Sequence, residues 1–312
     1  MADPPSPYPN VAPGPGGVIA QTVAPAPHPA PPHPPELPEG VSRQPRWPAW
    51  YAPAGFALAF AGIVALFIPL GLIAALAGAS LEDDPPALTI IGVVLQDAVL
   101  VGAALFLASR TMRPRLWHFG LRRVRPLRAF GWAVVAMVSY YVFAGLYSAI
   151  VKPDGEQTVA EDLGADESQV ALVAGAVVVV VLAPVIEEFF FRGFFYRALR
   201  SRFGVLLAAA IGGAVFGVIH YTGPDTLEIL PILAALGFAF CLLYEKTGSL
   251  YPCIGLHAFN NMIAYSVSTS DEGGWMVSVP LGLATIAGCF LVPRYLGRRT
   301  ARPGAGFSAP AR

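Results

Sequence analysis

Charge is scarce in this chain. Only 13% of its 312 residues are Asp, Glu, Lys or Arg, about half the share found in soluble domains, which excludes a soluble globular protein. Lysine occurs twice, at Lys152 and Lys246, and the formal net charge is zero, so there is no electrostatic case for nucleic acid as a partner. Cysteine is as sparse. Cys241, Cys253 and Cys289 lie in apolar segments with no CxxC or ligand-like spacing, which excludes a disulfide framework or a thiolate metal site. There is no N-x-[ST] acceptor, no HExxH zinc signature, and no basic start with a short apolar run to indicate a cleaved signal peptide. No period repeats along the chain, which argues against an inverted-repeat transporter.

Apolar residues are abundant. The chain is 55% hydrophobic with a mean hydropathy of +0.59. Residues 1–46 hold 15 prolines and no apolar period, as expected of a disordered, partly polyproline-II tail. His28 and His33 sit there among prolines and read as solvated. From residue 52 onward come apolar runs of about 18–25 residues, the length that crosses a bilayer as helix. They fall at 52–80, 87–109, 129–151, 169–191, 204–221, 227–244, 249–268 and 275–293, and the fourth has the option of continuing to about Arg200. The expected fold is all-α: a polytopic bundle of about eight transmembrane helices over 47–296, with a basic tail at 297–312.

Basic residues fix an expected orientation. All of the 20 except Lys152 fall on one side of this arrangement, while acids such as Glu82-Asp83-Asp84 and Asp271-Glu272 fall on the other. By the positive-inside rule both termini are then cytoplasmic. The composition, rich in Ala, Gly, Pro and Arg and poor in Lys, points to a bacterial plasma membrane.

Against that background, Ala183-Pro184-Val185-Ile186-Glu187-Glu188-Phe189-Phe190-Phe191-Arg192-Gly193 stands out. It follows an almost unbroken apolar run, yet holds two carboxylates and an arginine. Each costs roughly 2.5–3.5 kcal/mol at bilayer depth even on lenient scales. Glu188 and Arg192 are four apart, on one helical face, and can neutralise each other. Glu187 points about 100° away and needs a cavity, water or another helix. The plainer alternative is a pair of carboxylates snorkelling to the headgroups.

Two further spans carry polar groups. Phe216 and His220 are an i, i+4 pair, as are His257 and Asn261, with Asn260 near the same face. Each has a structural alternative: an interfacial histidine, or interhelical hydrogen-bonding. Gln96 and Asp97 interrupt the second span; they either line the same cavity or bond to a neighbouring helix, and the second is the expectation for them. Together, a carboxylate beside an imidazole can activate water. A second imidazole and an amide can stabilise an oxyanion.

These groups resemble the motifs of the CPBP intramembrane protease family, which includes type II CAAX prenyl endopeptidases and Abi proteins. EExxxR is matched by Glu187, Glu188 and Arg192, FxxxH by Phe216 and His220, and HxxxN by His257 and Asn261. The resemblance covers a core of about residues 169–268. It implies a glutamate-dependent endopeptidase acting on membrane-associated peptides or proteins in the lipid bilayer. Glu187 and His220 would activate water, His257 and Asn261 would hold the oxyanion, and Glu188, Arg192 and Phe216 would support them. No cofactor is expected, although Glu187, His220 and His257 are a conceivable zinc set. The alternative is a non-catalytic membrane immunity or scaffold protein of the Abi type.

One geometric difficulty accompanies this reading. At about 1.5 Å per residue, His220 would lie roughly 24 Å along its span and His257 about 12 Å along its own. Straight helices keep them apart. Tilts, a break at Pro184 or a shifted boundary would be required.

Overall fold

Among the described residues, eight helices of at least 14 residues account for the apolar runs. The computed structural model describes residues 47–76, 86–154 and 158–300; the proline-rich tail at 1–46 and residues 301–312 of the basic tail lie outside them. The helices are α1 (Tyr51–Leu76), α2 (Pro86–Ser109), α3 (Pro126–Val151), α4 (Gln169–Leu199), α5 (Val205–Val218), α6 (Leu230–Thr247), α7 (Leu250–Ser268) and α8 (Trp275–Thr300). No strand occurs among the described residues. Six helices, α1–α4, α6 and α8, are long and apolar enough to cross a membrane. The eighth expected span is α8, which runs beyond residue 293 to Thr300.

Two helices depart from a simple span. α5 has 14 residues, where the run 204–221 suggested more. The chain leaves the helix after Val218, where the N–H groups of His220 and Tyr221 close tighter i→i+3 turns on Gly217 O and Val218 O. α7 carries His257, Asn260 and Asn261 and is not among the six.

Local chemistry sets the boundaries. Proline occupies the first turn of α3, where its missing N–H costs nothing. The Ser168 hydroxyl accepts from Ala171 N–H at the start of α4, and Ser249 caps α7 in the same way. α6 ends at Gly248, whose φ of 65° suits a residue without a Cβ.

Packing then gathers the arginine-bearing loops at one end. The Arg122 side chain donates to the Gly248 carbonyl at 2.6 Å, Tyr244 donates to Phe119 O at 3.2 Å, and Ser249 donates to Arg122 O at 2.7 Å. Trp47 reaches Phe194 O at 3.2 Å. At the other end, Tyr147 donates to Glu228 O and Asp154 N–H to the Glu228 carboxylate.

α4 is the centre of the bundle. Phe189, Phe190, Phe191, Phe194, Phe195 and Tyr196 are all buried, as expected of a helix apolar on every side. α5 and α6 approach more closely than side chains normally allow. A Cβ at Gly213 would lie 2.5 Å from Ala234 O, and one at Gly237 would lie 2.8 Å from the Phe216 Cβ. Small residues at such contacts let backbones touch in a membrane, and this one seats Phe216 against α6.

Candidate active site

α4 is not a uniform helix. It widens to i→i+5 hydrogen bonding at Val178–Leu182 and again at Phe189–Tyr196. The first widening has a covalent cause. A proline ring inside a helix clashes with the carbonyl four residues back and offers no N–H. Here Ala183 N–H reaches five back, to Val178 O, and Pro184 then has nothing to give Val179 O. That orphaned carbonyl is met from α7: Asn261 Nδ2 donates to it at 2.9 Å. Widened turns of this kind recur at functional sites. The helix stays continuous but departs from regular α geometry just before Pro184, one of the places the span depths pointed to.

One turn later come the charges. Arg192 donates to Glu188 Oε1 at 2.8 Å, the i, i+4 pair expected from the spacing, and both side chains are fully buried. The guanidinium also donates to Gly237 O at 3.1 Å. Its flat faces lie over the rings of Phe216 (4.4 Å) and Phe240 (5.0 Å), which adds cation–π attraction.

His257 joins α7 to this pair. Its Nδ1 lies 2.9 Å from Glu188 Oε1. A paired carboxylate accepts, so Nδ1 carries the proton and Nε2 faces outward. Nε2 is 4.0 Å from Glu187 Oε2. That is too long for a direct hydrogen bond, and is a span that a single water, bonding at about 2.8 Å to each, can bridge. Glu187 Oε2 has no hydrogen-bond partner among the described residues.

His220 lies just past the end of α5. Its Nδ1 is 2.7 Å from Phe216 O. A carbonyl only accepts, so Nδ1–H donates and Nε2 keeps its lone pair. The Phe216 ring separates the two imidazoles, 4.8 Å from His220 and 5.9 Å from His257 between centroids. The structure thus links Glu188, Arg192 and His257 by hydrogen bonds, leaves Glu187 4.0 Å from His257, ties Asn261 to α4, and connects His220 through Phe216. Asn260 accepts from the Tyr141 hydroxyl at 3.5 Å and donates to Asn261 Oδ1 at 3.4 Å. The inner groups, Glu188 and Arg192, are sealed, whereas Glu187, His220 and Asn261 keep partial exposure.

Asp97 differs from its expectation. It was read as bonding to a neighbouring helix, yet it is only 7% exposed and its Oδ2 has no partner among the described residues. α2 packs on α4, the helix that carries Glu187. Gln96, its neighbour, is exposed. The signal in the sequence was the acid itself, at mid-span; its direction was not readable.

The conceivable zinc set does not fit this arrangement. Ligands about 2.05 Å from a tetrahedral zinc lie about 3.3 Å apart, shorter than the 4.0 Å between His257 Nε2 and Glu187. No group of three His, Cys, Asp or Glu side chains able to hold a metal occurs among the described residues.

Comparison with known proteins places the motifs in context. Residues 169–263 match the family described as Type II CAAX prenyl endopeptidase Rce1-like. "Uncharacterized protein YyaK" of Bacillus subtilis is 36% identical over 96 residues, which make up 29% of this chain and 32% of that protein. "Putative membrane peptidase YdiL" of the same organism is 30% identical over 81 residues, 26% of this chain and 32% of that protein. The chain therefore spans about a third of the length of the curated relatives it matches. No solved structure matches it. The matched stretch contains every residue of the three motifs.

Proposed function

From an integral membrane chain whose motif-bearing stretch matches type II CAAX prenyl endopeptidases, we propose an intramembrane endopeptidase that cleaves membrane-associated peptides by activating water at Glu187. The observation that carries this reading is the position of His257, 2.9 Å from Glu188 through Nδ1 and 4.0 Å from Glu187 through Nε2. A water in that gap touches a carboxylate able to take its proton.

The steps follow from the groups present. Glu187, with His220 Nε2 as a second acceptor, removes a proton from water as its oxygen attacks the scissile carbonyl carbon. The carbonyl π electrons move onto oxygen. His257 Nε2 donates to that oxyanion when it carries a second proton. Before attack, Glu188 and Glu187 balance the charges of Arg192 and the imidazolium; once Glu187 holds the water's proton, the oxyanion takes its place in that balance. Asn261 has one amide N–H committed to Val179 O and a second available for the oxyanion. Collapse of the intermediate breaks the C–N bond, and the proton held by Glu187 passes to the leaving amine. An oxyanion donor of this kind is worth about 10²–10³ in rate.

The test uses the full chain, purified in detergent and reconstituted with a membrane-anchored reporter peptide. Glu187→Gln should abolish cleavage with unchanged thermal unfolding. Cleavage at the original rate would end the proposal. A wild-type protein that cuts no membrane peptide, with partner binding that Glu187→Gln weakens, would favour the scaffold or immunity role.

A further inference from the structure

A groove of about 480 Å³ runs between α3, α7 and α8, away from Glu187. Its walls include Ala133 and Met137 of α3, Leu256 and Phe259 of α7, and Ile286 and Phe290 of α8. From Pro126 to Met137 it extends eleven residues along α3, or about 16 Å. That matches the roughly 15 Å of hydrocarbon in one leaflet. The groove opens sideways, past the exposed Phe130 and Phe290, toward lipid.

Two cations line the end at which the arginine-bearing loops meet. Arg123 and Arg294 both border the groove and both are exposed. Neither meets an acidic side chain or other acceptor among the described residues. Nearby arginines are engaged: Arg122 on Gly248 O, Arg128 on Lys246 O, Arg200 on Glu245. A second apolar groove, between α3, α5 and α6, offers a contrast. Its one cation, Lys246, already lies over the Trp132 ring at 5.0 Å.

We propose that the groove between α3, α7 and α8 binds one anionic phospholipid, an acyl chain lying along the apolar walls and the phosphate held by Arg123 and Arg294. A peptide is a poor occupant, because its backbone groups would go unsatisfied against this lining. A second copy related by a two-fold axis brings like patches together, which sets the arginines against each other. A phosphodiester with a hydrocarbon tail satisfies both ends of the site. The chain would then rest against the back of α7, the helix that holds His257. This proposal does not depend on peptidase activity.

The experiment compares spin-labelled phosphatidylglycerol with spin-labelled phosphatidylcholine around the full chain in phosphatidylcholine vesicles. The wild-type protein should hold the anionic lipid about thirtyfold more strongly, the scale expected of two basic residues at an anionic headgroup. Arg123→Gln with Arg294→Gln should bring the ratio near one, and Ala133→Phe, which fills the groove, should do the same with both arginines present. Lys246→Gln should leave it unchanged, and millimolar inorganic phosphate should not compete. A wild-type ratio near one would overturn the proposal, as would a ratio that survives either the double variant or the filled groove. So would competition by free phosphate, or a dimer that Ala133→Phe splits while lipid selectivity persists. Independently of any variant, phosphatidylglycerol with a photoreactive chain end should label Met137 or Phe259 in the wild-type protein. Labelling confined to other helices would count against it.

Discussion

Arg192 and His257 converge on a single oxygen: Glu188 Oε1 lies 2.8 Å from the guanidinium and 2.9 Å from the imidazole Nδ1. One carboxylate therefore neutralises the buried charge on α4 and orients the histidine of α7. Glu187, one residue earlier, does neither and is left facing the gap.

This division separates stability from chemistry. Glu188→Ala strands a fully buried guanidinium, and breaking such a pair costs about 3–5 kcal/mol. Glu187→Gln removes no hydrogen bond among the described residues and should change stability by less than about 1 kcal/mol. Thermal unfolding in detergent, monitored by intrinsic fluorescence, should show a large drop for the first variant and almost none for the second.

Asp97 makes the opposite trade. A buried carboxylate with an unpartnered oxygen is a stability cost. Asp97→Leu should raise the unfolding free energy by about 1–3 kcal/mol while slowing peptide cleavage. Groups kept at the expense of stability are those on which function depends. A variant that is more stable and equally active would make Asp97 irrelevant to the site.

Asn261 and Pro184 should be coupled. Pro184→Ala restores an N–H that can reach Val179 O, so Asn261→Ala should cost less in that background than in the wild type. The difference expected in a double-mutant cycle is about 0.5–3 kcal/mol. Additive unfolding free energies would show that the amide does not compensate for the proline.

The close approach of α5 and α6 predicts a positional effect. Gly213→Ala places a methyl 2.5 Å from Ala234 O, with backbone that cannot swing aside as a side chain would. The helices must separate, at a cost of about 1–3 kcal/mol. Phe216 should move with α5 and loosen His220. Unfolding should shift down, and cleavage should fall by more than the loss of folded protein explains.

Much of this was legible in the chain. Run lengths located eight helices because a bilayer demands uninterrupted apolar stretches, and the Glu188–Arg192 contact followed from a four-residue spacing that any helix enforces. Other features lay beyond local pattern. Val178–Leu182 is as apolar as its surroundings, so only Pro184 hinted that the turn would widen, and nothing named Asn261 as the group to meet Val179 O. Asp97 could be seen as an acid in a span, but whether it found a partner depended on where α2 lies against α4. His220 was placed inside a span because Val218 and Ile219 are apolar, whereas the helix stops at Val218. Arg123 and Arg294, 171 positions apart, gave no sign that they border one groove.

The brevity of α5 reaches beyond the protein. Fourteen residues rise about 21 Å, some 9 Å less than the hydrocarbon layer around them. Lipid beside so short a helix would thin to match it, which would draw water toward the end where His220 sits. For the proposed hydrolysis, that would bring the second reactant in from the side without a tunnel.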